Sequence, residues 1–418
     1  MNELQAIVDV YQKACARGER MALATVVSVE GSAYRRPGAR MLITESGQTV
    51  GTISGGCLES DVMERAAQVV ETGVPRVIEY DTRGNEDIVW GLGLGCNGVV
   101  RVLLESLHEG SYGARSLQFI NDCLHARRRG VMATIIHKSQ TTNGESGEYK
   151  IGERFIVGDD EFNNNDQALA AGEFVSDISE DARKALMDGR SVMRSYESNT
   201  SQTEIFFDVI EPPRPLIVFG AEQDAKPLVR LAHTLGWHAT IVDTRARRAT
   251  TERFNEADAV VLCRAEDVAA QVSLTPDTAV VVMTHNYLHD VDLLRVLLPA
   301  SLSYLGILGP KERTTKLLQE LHTHGSVFTN TQLARLHSPI GIDIGAETPE
   351  EIALAIIAEI KAACALRRGG FLRDRNAPIH DDQTANLATI EFSVKPHRVQ
   401  PASTTDRESA PRAACYLS

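Results

Sequence analysis

The stretch that most constrains this chain is Gly51–Glu59, where a glycine-rich turn leads straight into an amphipathic segment. Leu58, Val62, Ala66 and Val69 recur at helical spacing as far as Gly73, which predicts a helix with Cys57 at or near its N-terminus. The Gly55-Gly56 pair frees the backbone for a tight approach and leaves amide N–H groups unpaired at the helix start. Such a start suits an anion, either a bound phosphate or the thiolate of Cys57 itself. The alternative is a strand-to-helix turn whose cysteine is simply its first packing residue.

A chain of 418 residues is too long for one ordinary core, so two domains or more are expected. The net charge of −13 leaves no basic excess to neutralise phosphates, which argues against nucleic acid as a partner. The absence of a signal pattern and of a long apolar run predicts a soluble, cytoplasmic chain with no membrane partner. Seven scattered cysteines, odd in number and without a CxxC pair, suit neither a disulfide framework nor a structural zinc site.

Taken in order, Leu4, Ile7, Val8, Tyr11 and Cys15 predict an opening helix that stops at Gly18. A buried strand is expected at Met21–Val29. The loop Glu30–Gly38 then carries Arg35 and Arg36, with Arg40 just beyond. Their forked guanidinium donors suit bidentate phosphate or carboxylate recognition; a solvated loop is the plainer reading. Met41–Ile43 and Gln48–Ile53 predict a hairpin that delivers the chain into the Cys57 turn. After a strand near Arg76–Asp81, a second glycine cluster, Gly91–Gly98, contains Cys96 and precedes a strand at Val99–Glu105. The two cysteine turns either converge on one pocket or are placed by chance. A helix over Gly113–Arg129 would end in three arginines, favoured there by the helix dipole. Strands are expected at Val131–His137 and Glu204–Val209 and a short helix at Ser179–Met187. Residues 139–148 and 159–167 read as polar loops.

The proline-rich segment Glu211–Pro215 marks a boundary, giving domains at 1–211 and 212–372. Beyond it, Leu216–Phe219, a turn at Gly220, a helix through Gly236 and a strand ending at Asp243 form the first unit of a doubly wound sheet. Further strands are expected at Ala259–Leu262, Ala279–Met283 and Tyr304–Ile307. The glycine fingerprint is broken, because Glu222 stands where a glycine would let the backbone approach a pyrophosphate. Its carboxylate adds like-charge repulsion, which counts against NAD(P). His285 and His289 lie four apart without a third ligand nearby, which favours hydrogen-bonded structural histidines over a metal site. Lys311 and Arg313 open a helix and are placed to reach an anionic ligand. Thr348–Glu351 is a capping box with proline at the first helical position and predicts a helix over Glu350–Arg368. Residues 373–418 are polar and read as a disordered tail. The fold class is therefore α/β, with an N-terminal mixed-sheet domain followed by a Rossmann-like parallel one.

Gly31-Ser32, Arg35–Met41 and Gly51–Glu59 together resemble the N-terminal domain of the XdhC/CoxI family, accessory proteins of xanthine dehydrogenase and related molybdenum hydroxylases. Gly95–Gly98 is similar to the family's second cysteine turn, with asparagine in place of a glycine. Pro212–Gly220, Val242–Arg245, Thr284-His285, Tyr304–Gly309 and Pro339–Glu359 resemble its Rossmann-like domain. Glu222-Gln223 departs from the family's usual glycine and histidine. The resemblance covers roughly residues 5–370 and implies a chaperone rather than a catalyst. Such proteins bind the molybdenum cofactor (Moco) transiently, support its sulfuration with a cysteine desulfurase, and insert it into the apo-hydroxylase. It also implies a homodimer. The expected cofactor-binding set is Arg35, Arg36, Arg40, Gly55, Gly56, Cys57, Glu59, Cys96, Asp243, Arg245 and Lys311, with Cys57 and Cys96 toward the metal. Two other functions are compatible with the residues: an NAD(P)-dependent oxidoreductase using the second domain, and a cysteine-based sulfur-transfer protein.

Overall fold

Alternating apolar residues build the first half. The strand β1 (Met21–Gly31) sends Met21 and Leu23 to one face and Ala22, Ala24 and Val26 to the other, the two-residue period of a sheet covered on both sides. It pairs antiparallel with β2 (Arg40–Thr44) and β5 (Gly98–Leu107). With β3 (Thr49–Gly51) and β4 (Arg76–Asp81) these make a five-stranded sheet in the order β3-β2-β1-β5-β4. Helices α1 (Glu3–Ala16) and α3 (Tyr112–Ala126) supply the core on one face, and α2 (Glu59–Thr72) supplies it on the other. A four-stranded sheet follows, β7-β6-β9-β8, with β6 (Gly130–Gln140), β7 (Arg154–Gly158), β8 (Val192–Glu197) and β9 (Ser201–Ile210) antiparallel throughout. It packs on α4 (Val175–Asp188). The computed structural model describes residues 3–83, 98–140, 150–158, 175–197, 201–376 and 379.

Charged pairs tie these two sheets together. Arg40 on β2 reaches Asp208 on β9, both side chains 4 % exposed, and donates to the carbonyl of Gly38 at 2.8 Å. Arg154 on β7 grips both carboxylate oxygens of buried Glu105 on β5, at 2.6 and 2.5 Å. Arg101 on β5 adds a partly exposed pair with Glu204 on β9 at 2.6 Å. Arg40 thus holds the sheets together and, paired and buried, is not offered to a ligand from solvent.

The second half is a parallel sheet of nearly unbroken apolar strands, as burial on both faces requires. It contains β10 (Pro215–Phe219), β11 (His238–Asp243), β12 (Ala259–Leu262), β13 (Ala279–Val282), β14 (Tyr304–Ile307) and β15 (Leu336–His337), in the order β12-β11-β10-β13-β14-β15. Renumbered within this half, that is the 3-2-1-4-5-6 order of a Rossmann sheet. Helices α5 (Ala225–Thr234) and α10 (Pro349–Cys364) cover one face. The other face is covered by α7 (Tyr287–Leu297) and α8 (Lys311–Thr323), which follow the short α6 (Val268–Gln271). The short helix α9 (Asn330–Ala334) precedes β15.

Residues 1–369 form one compact unit and residues 370–418 another; in the latter the described part carries a single 3₁₀ turn at Leu372–Asp374. The capping box at Thr348 is present, with Glu351 N–H donating to the threonine hydroxyl at 3.3 Å. Helix α10 ends at Cys364 rather than Arg368, because Leu366 turns left-handed at φ 53°. Helix α3 likewise stops at Ala126, with Arg127 in the left-handed region as its C-cap, so the arginine run follows the last turn rather than forming it. Residues 139 and 140, expected in a loop, belong to β6; the rest of that loop from 141, and 159–167, lie outside the described residues.

Removing one partner of a buried ion pair leaves the other charge uncompensated. Arg40→Ala is therefore expected to destabilise the fold by roughly 3–5 kcal/mol in urea unfolding, while Arg40→Met combined with Asp208→Leu recovers most of that loss.

Candidate functional site

The turn that carries Cys57 is organised by one carboxylate. Glu59, the first residue of α2, folds back under the turn. Its Oε1 accepts from the Thr52 hydroxyl at 2.8 Å and from the Ser54 N–H at 2.9 Å. Its Oε2 accepts from the Ser54 hydroxyl and from the Leu58 N–H, the latter at 3.2 Å. Ser54 Oγ in turn accepts from the N–H groups of Gly56 and Leu58 at 3.2 and 3.1 Å. Burial alone would raise the Glu59 carboxyl, but these hydroxyl and amide donors outweigh it and hold it below the usual carboxylate range. Glu59 is therefore committed to the turn and not offered to a ligand. For the same reason the Gly56 and Leu58 amides, expected free at the helix start, already have internal acceptors.

Gly56 adopts φ +106°, a conformation open to glycine. At Gly55 the Tyr34 ring stands 3.5 Å from where a Cβ would be, so the arginine loop lies directly over the turn. Arg35 is tied to the turn by Glu3, whose Oε2 pairs with the guanidinium while Oε1 accepts from the Thr52 N–H at 3.1 Å. Cys57 is half-buried against the α2 core cluster, and Arg36 is exposed. The structure thus brings Arg35, Gly55, Gly56 and Cys57 together. Cys96 lies outside the described residues. Glu3 and Ser54 carried no signal of their own, because their roles arise from contacts made only in the folded chain.

A second cluster occupies the carboxyl edge of the parallel sheet, at the crevice where strand order reverses between β10 and β13. Gly220 ends β10 at φ +118°, and a Cβ there would come within 2.4 Å of the Met283 carbonyl oxygen. Asp243, 3 % exposed, accepts from the N–H of Ala221 at 2.8 Å and of Arg245 at 2.9 Å. The Arg245 guanidinium grips both of its oxygens at 2.8 and 2.7 Å. Burial pushes the Asp243 carboxyl up, yet Arg245 and the two amides bring it below its ordinary value. An aspartate so saturated has no lone pair left for a ribose hydroxyl, and Arg245 is committed with it.

Glu222 is paired with Arg245 at 3.0 Å and with Arg248, so its charge is neutralised. The obstacle to a pyrophosphate in this turn is therefore an internal ion-pair network rather than bare repulsion. His285, at φ 58°, bonds Asp224 at 2.7 Å and precedes α7, while His289 lies on that helix; the two do not act as a pair. Arg313 donates to buried Asp290 at 2.6 Å, and Lys311, the first residue of α8, is exposed at the same edge. None of the bonds described here joins this cluster to the Cys57 turn.

A Rossmann sheet preceded by two antiparallel sheets, with a cysteine turn on the first, defines an α/β protein of two unlike halves. Residues 14–81 match the XdhC and CoxI family and residues 216–360 match the XdhC Rossmann domain. A probable xanthine dehydrogenase subunit from Bacillus subtilis is 34 % identical over 343 residues, 82 % of this chain and 92 % of that protein. The molybdenum cofactor insertion chaperone PaoD of Escherichia coli is 22 % identical over 357 residues, 85 % of this chain and 87 % of PaoD. The crystal structure of a xanthine dehydrogenase from Bacillus halodurans superposes with a TM-score of 0.68 at 30 % identity, covering 88 % of this chain and 97 % of that one. The chain belongs to the XdhC/CoxI family. Among the described residues no helix is long and apolar enough to cross a membrane.

Three outcomes are expected. Glu59→Ala strands the Ser54 N–H and hydroxyl and should cost roughly 1–3 kcal/mol, with faster thiol labelling of Cys57. Because the folded Glu59 carboxyl lies below its unfolded value of about 4.3, its contribution is complete above that pH and is lost as pH falls through the folded value. Glu59→Gln should therefore flatten the acid limb of the stability curve. Titration with NADH or NADPH should show no saturable binding at physiological concentrations; saturation would mean that the Glu222 network opens.

Proposed function

We propose that this chain is a maturation factor for a xanthine-dehydrogenase-type molybdenum hydroxylase, with Moco as its cargo. The observation that carries the reading is the neighbourhood of Cys57. A half-buried thiol sits in a turn made rigid by Glu59, and Arg35 is anchored to the same turn through Glu3. A thiolate is a soft donor of the kind molybdenum and sulfur chemistry uses. Guanidinium groups beside it suit the phosphate that ends the pterin. Similarity to PaoD, an insertion chaperone, and to the B. subtilis xanthine dehydrogenase protein points the same way.

In this reading Cys57 contacts the metal end of the cargo while Arg35 and Arg36 hold its phosphate end. A cysteine desulfurase is, in this reading, the source of the sulfur with which the cargo is matured before it passes to the apo-hydroxylase. Cys96 is the proposed second thiol, and Lys311 is a further contact from the Rossmann half. A cytoplasmic homodimer is the expected form.

A covalent sulfur carrier is the second reading, favoured by the same accessible thiol; persulfide on Cys57 without bound pterin would select it.

Cys57→Ser, which replaces the thiol by a near-isostere, is expected to fold normally, to retain at least tenfold less Moco, and to fail to activate a co-produced hydroxylase. Cys96→Ser should show a milder defect. Unchanged cofactor retention in Cys57→Ser would remove the thiolate from the site and leave Arg35 and Arg36 as its core.

A further inference from the structure

At the amino edge of the parallel sheet, opposite the crevice described above, the two halves of the compact unit meet around a cavity of about 320 Å³. Pro215, His238 and Ala259, the first residues of β10, β11 and β12, open onto it together with the linker from Glu211 to Arg214 and the end of α3. A volume of this size lies at the small end of ligand pockets, about 300–1,000 Å³. Its floor is apolar, with Ile217, Val261 and Val272, and Thr240 and Ser273 add hydroxyls.

The charges at this cavity are distributed unevenly. Arg129 is satisfied by Asp277 at 3.0 Å and Glu211 at 3.4 Å. Arg127 and Arg214, which also line it, make no salt bridge with a carboxylate among the described residues. Arg127 Nη2 lies instead 2.6 Å from His238 Nε2. A guanidinium can only donate, so that nitrogen accepts and the imidazole is neutral. Burial first, and the Arg127 charge second, hold His238 below the ordinary imidazole value, in keeping with that state. A guanidinium whose one side-chain partner among the described residues is a neutral ring has donors left for a stronger acceptor, and carboxylates and phosphates are the acceptors its fork matches.

We infer that this cleft is a binding site for a small organic oxyanion, a carboxylate or phosphate head on a short apolar body, gripped by Arg127 and Arg214. The head displaces Arg127 from His238 and the body rests on Ile217, Val261 and Val272. Because the lining comes from the turn after α3 and the linker on one side and from the parallel sheet on the other, an occupant ties the two halves together. The site stands apart from the Cys57 turn and does not depend on the function proposed for it.

Isothermal titration of the full chain, purified without Moco, with phenyl phosphate, benzoate and inorganic phosphate tests this. Phenyl phosphate or benzoate should saturate at one equivalent per chain, with a dissociation constant below about 1 mM; whichever does so identifies the head. Inorganic phosphate, lacking the apolar body, should bind more weakly. Arg127→Ala and Arg214→Ala should each weaken binding about tenfold or more. Ser273→Phe, at an exposed position of the lining, should block the cavity without lowering the melting temperature. Saturation by neither organic probe, or binding that survives all three substitutions unchanged, would overturn the assignment.

Discussion

The Arg40–Asp208 ion pair is the constraint on which the first half depends. It joins β2 of one antiparallel sheet to β9 of the other, and through the Gly38 carbonyl it also fixes the end of the arginine loop. Charges this deep are favourable only when geometry and hydrogen bonds offset their desolvation. What the pair secures is placement: with β2 locked, the β2–β3 hairpin leads the chain into the Cys57 turn at one angle, beneath Tyr34 and beside Arg35. The Arg154–Glu105 pair does the same for β5 and β7.

Within that frame the turn closes on its own donors and acceptors. Glu59 and Ser54 absorb the donors of the turn and the start of α2. This gives the turn one conformation and keeps the thiol in a fixed position. The rigidity of the turn thus comes from Glu59 and Ser54 rather than from Cys57 itself.

The Rossmann half behaves in the opposite way. Its strand order and crevice are those of a nucleotide-binding sheet, but the two positions that would receive a dinucleotide are filled from inside. Asp243 is saturated by Arg245 and the Ala221 amide, and Glu222 is neutralised by Arg245 and Arg248. A fold is not a function, and here the protein's own salt bridges take the place of the ligand's contacts. At its other edge, where the two halves meet, the turn after α3 and the linker bring Arg127 and Arg214, which make no salt bridge with a carboxylate among the described residues.

Local pattern alone determined much of this protein. Most strands of both halves (β7, β8 and β15 excepted), the Cys57 turn at the start of α2, the capping box at Thr348 and the doubly wound order were legible because they follow from periodicity, turn residues and chain direction. The fates of the charged residues were not. Arg40, Glu59, Asp243 and Arg245 read as ligand-binding groups because sequence shows which side chains could bind an anion. It does not show which already have a partner. An acid such as Asp208 in the otherwise apolar end of β9 hinted at a buried pair, but not with whom. Glu3, distant in the chain, supplied the link between Arg35 and Thr52, and Arg127 met His238 across the two halves. Only the tertiary structure decided these pairings, because an ion pair is chosen by distance in space and by the loss of water around it, and neither quantity is written along the chain.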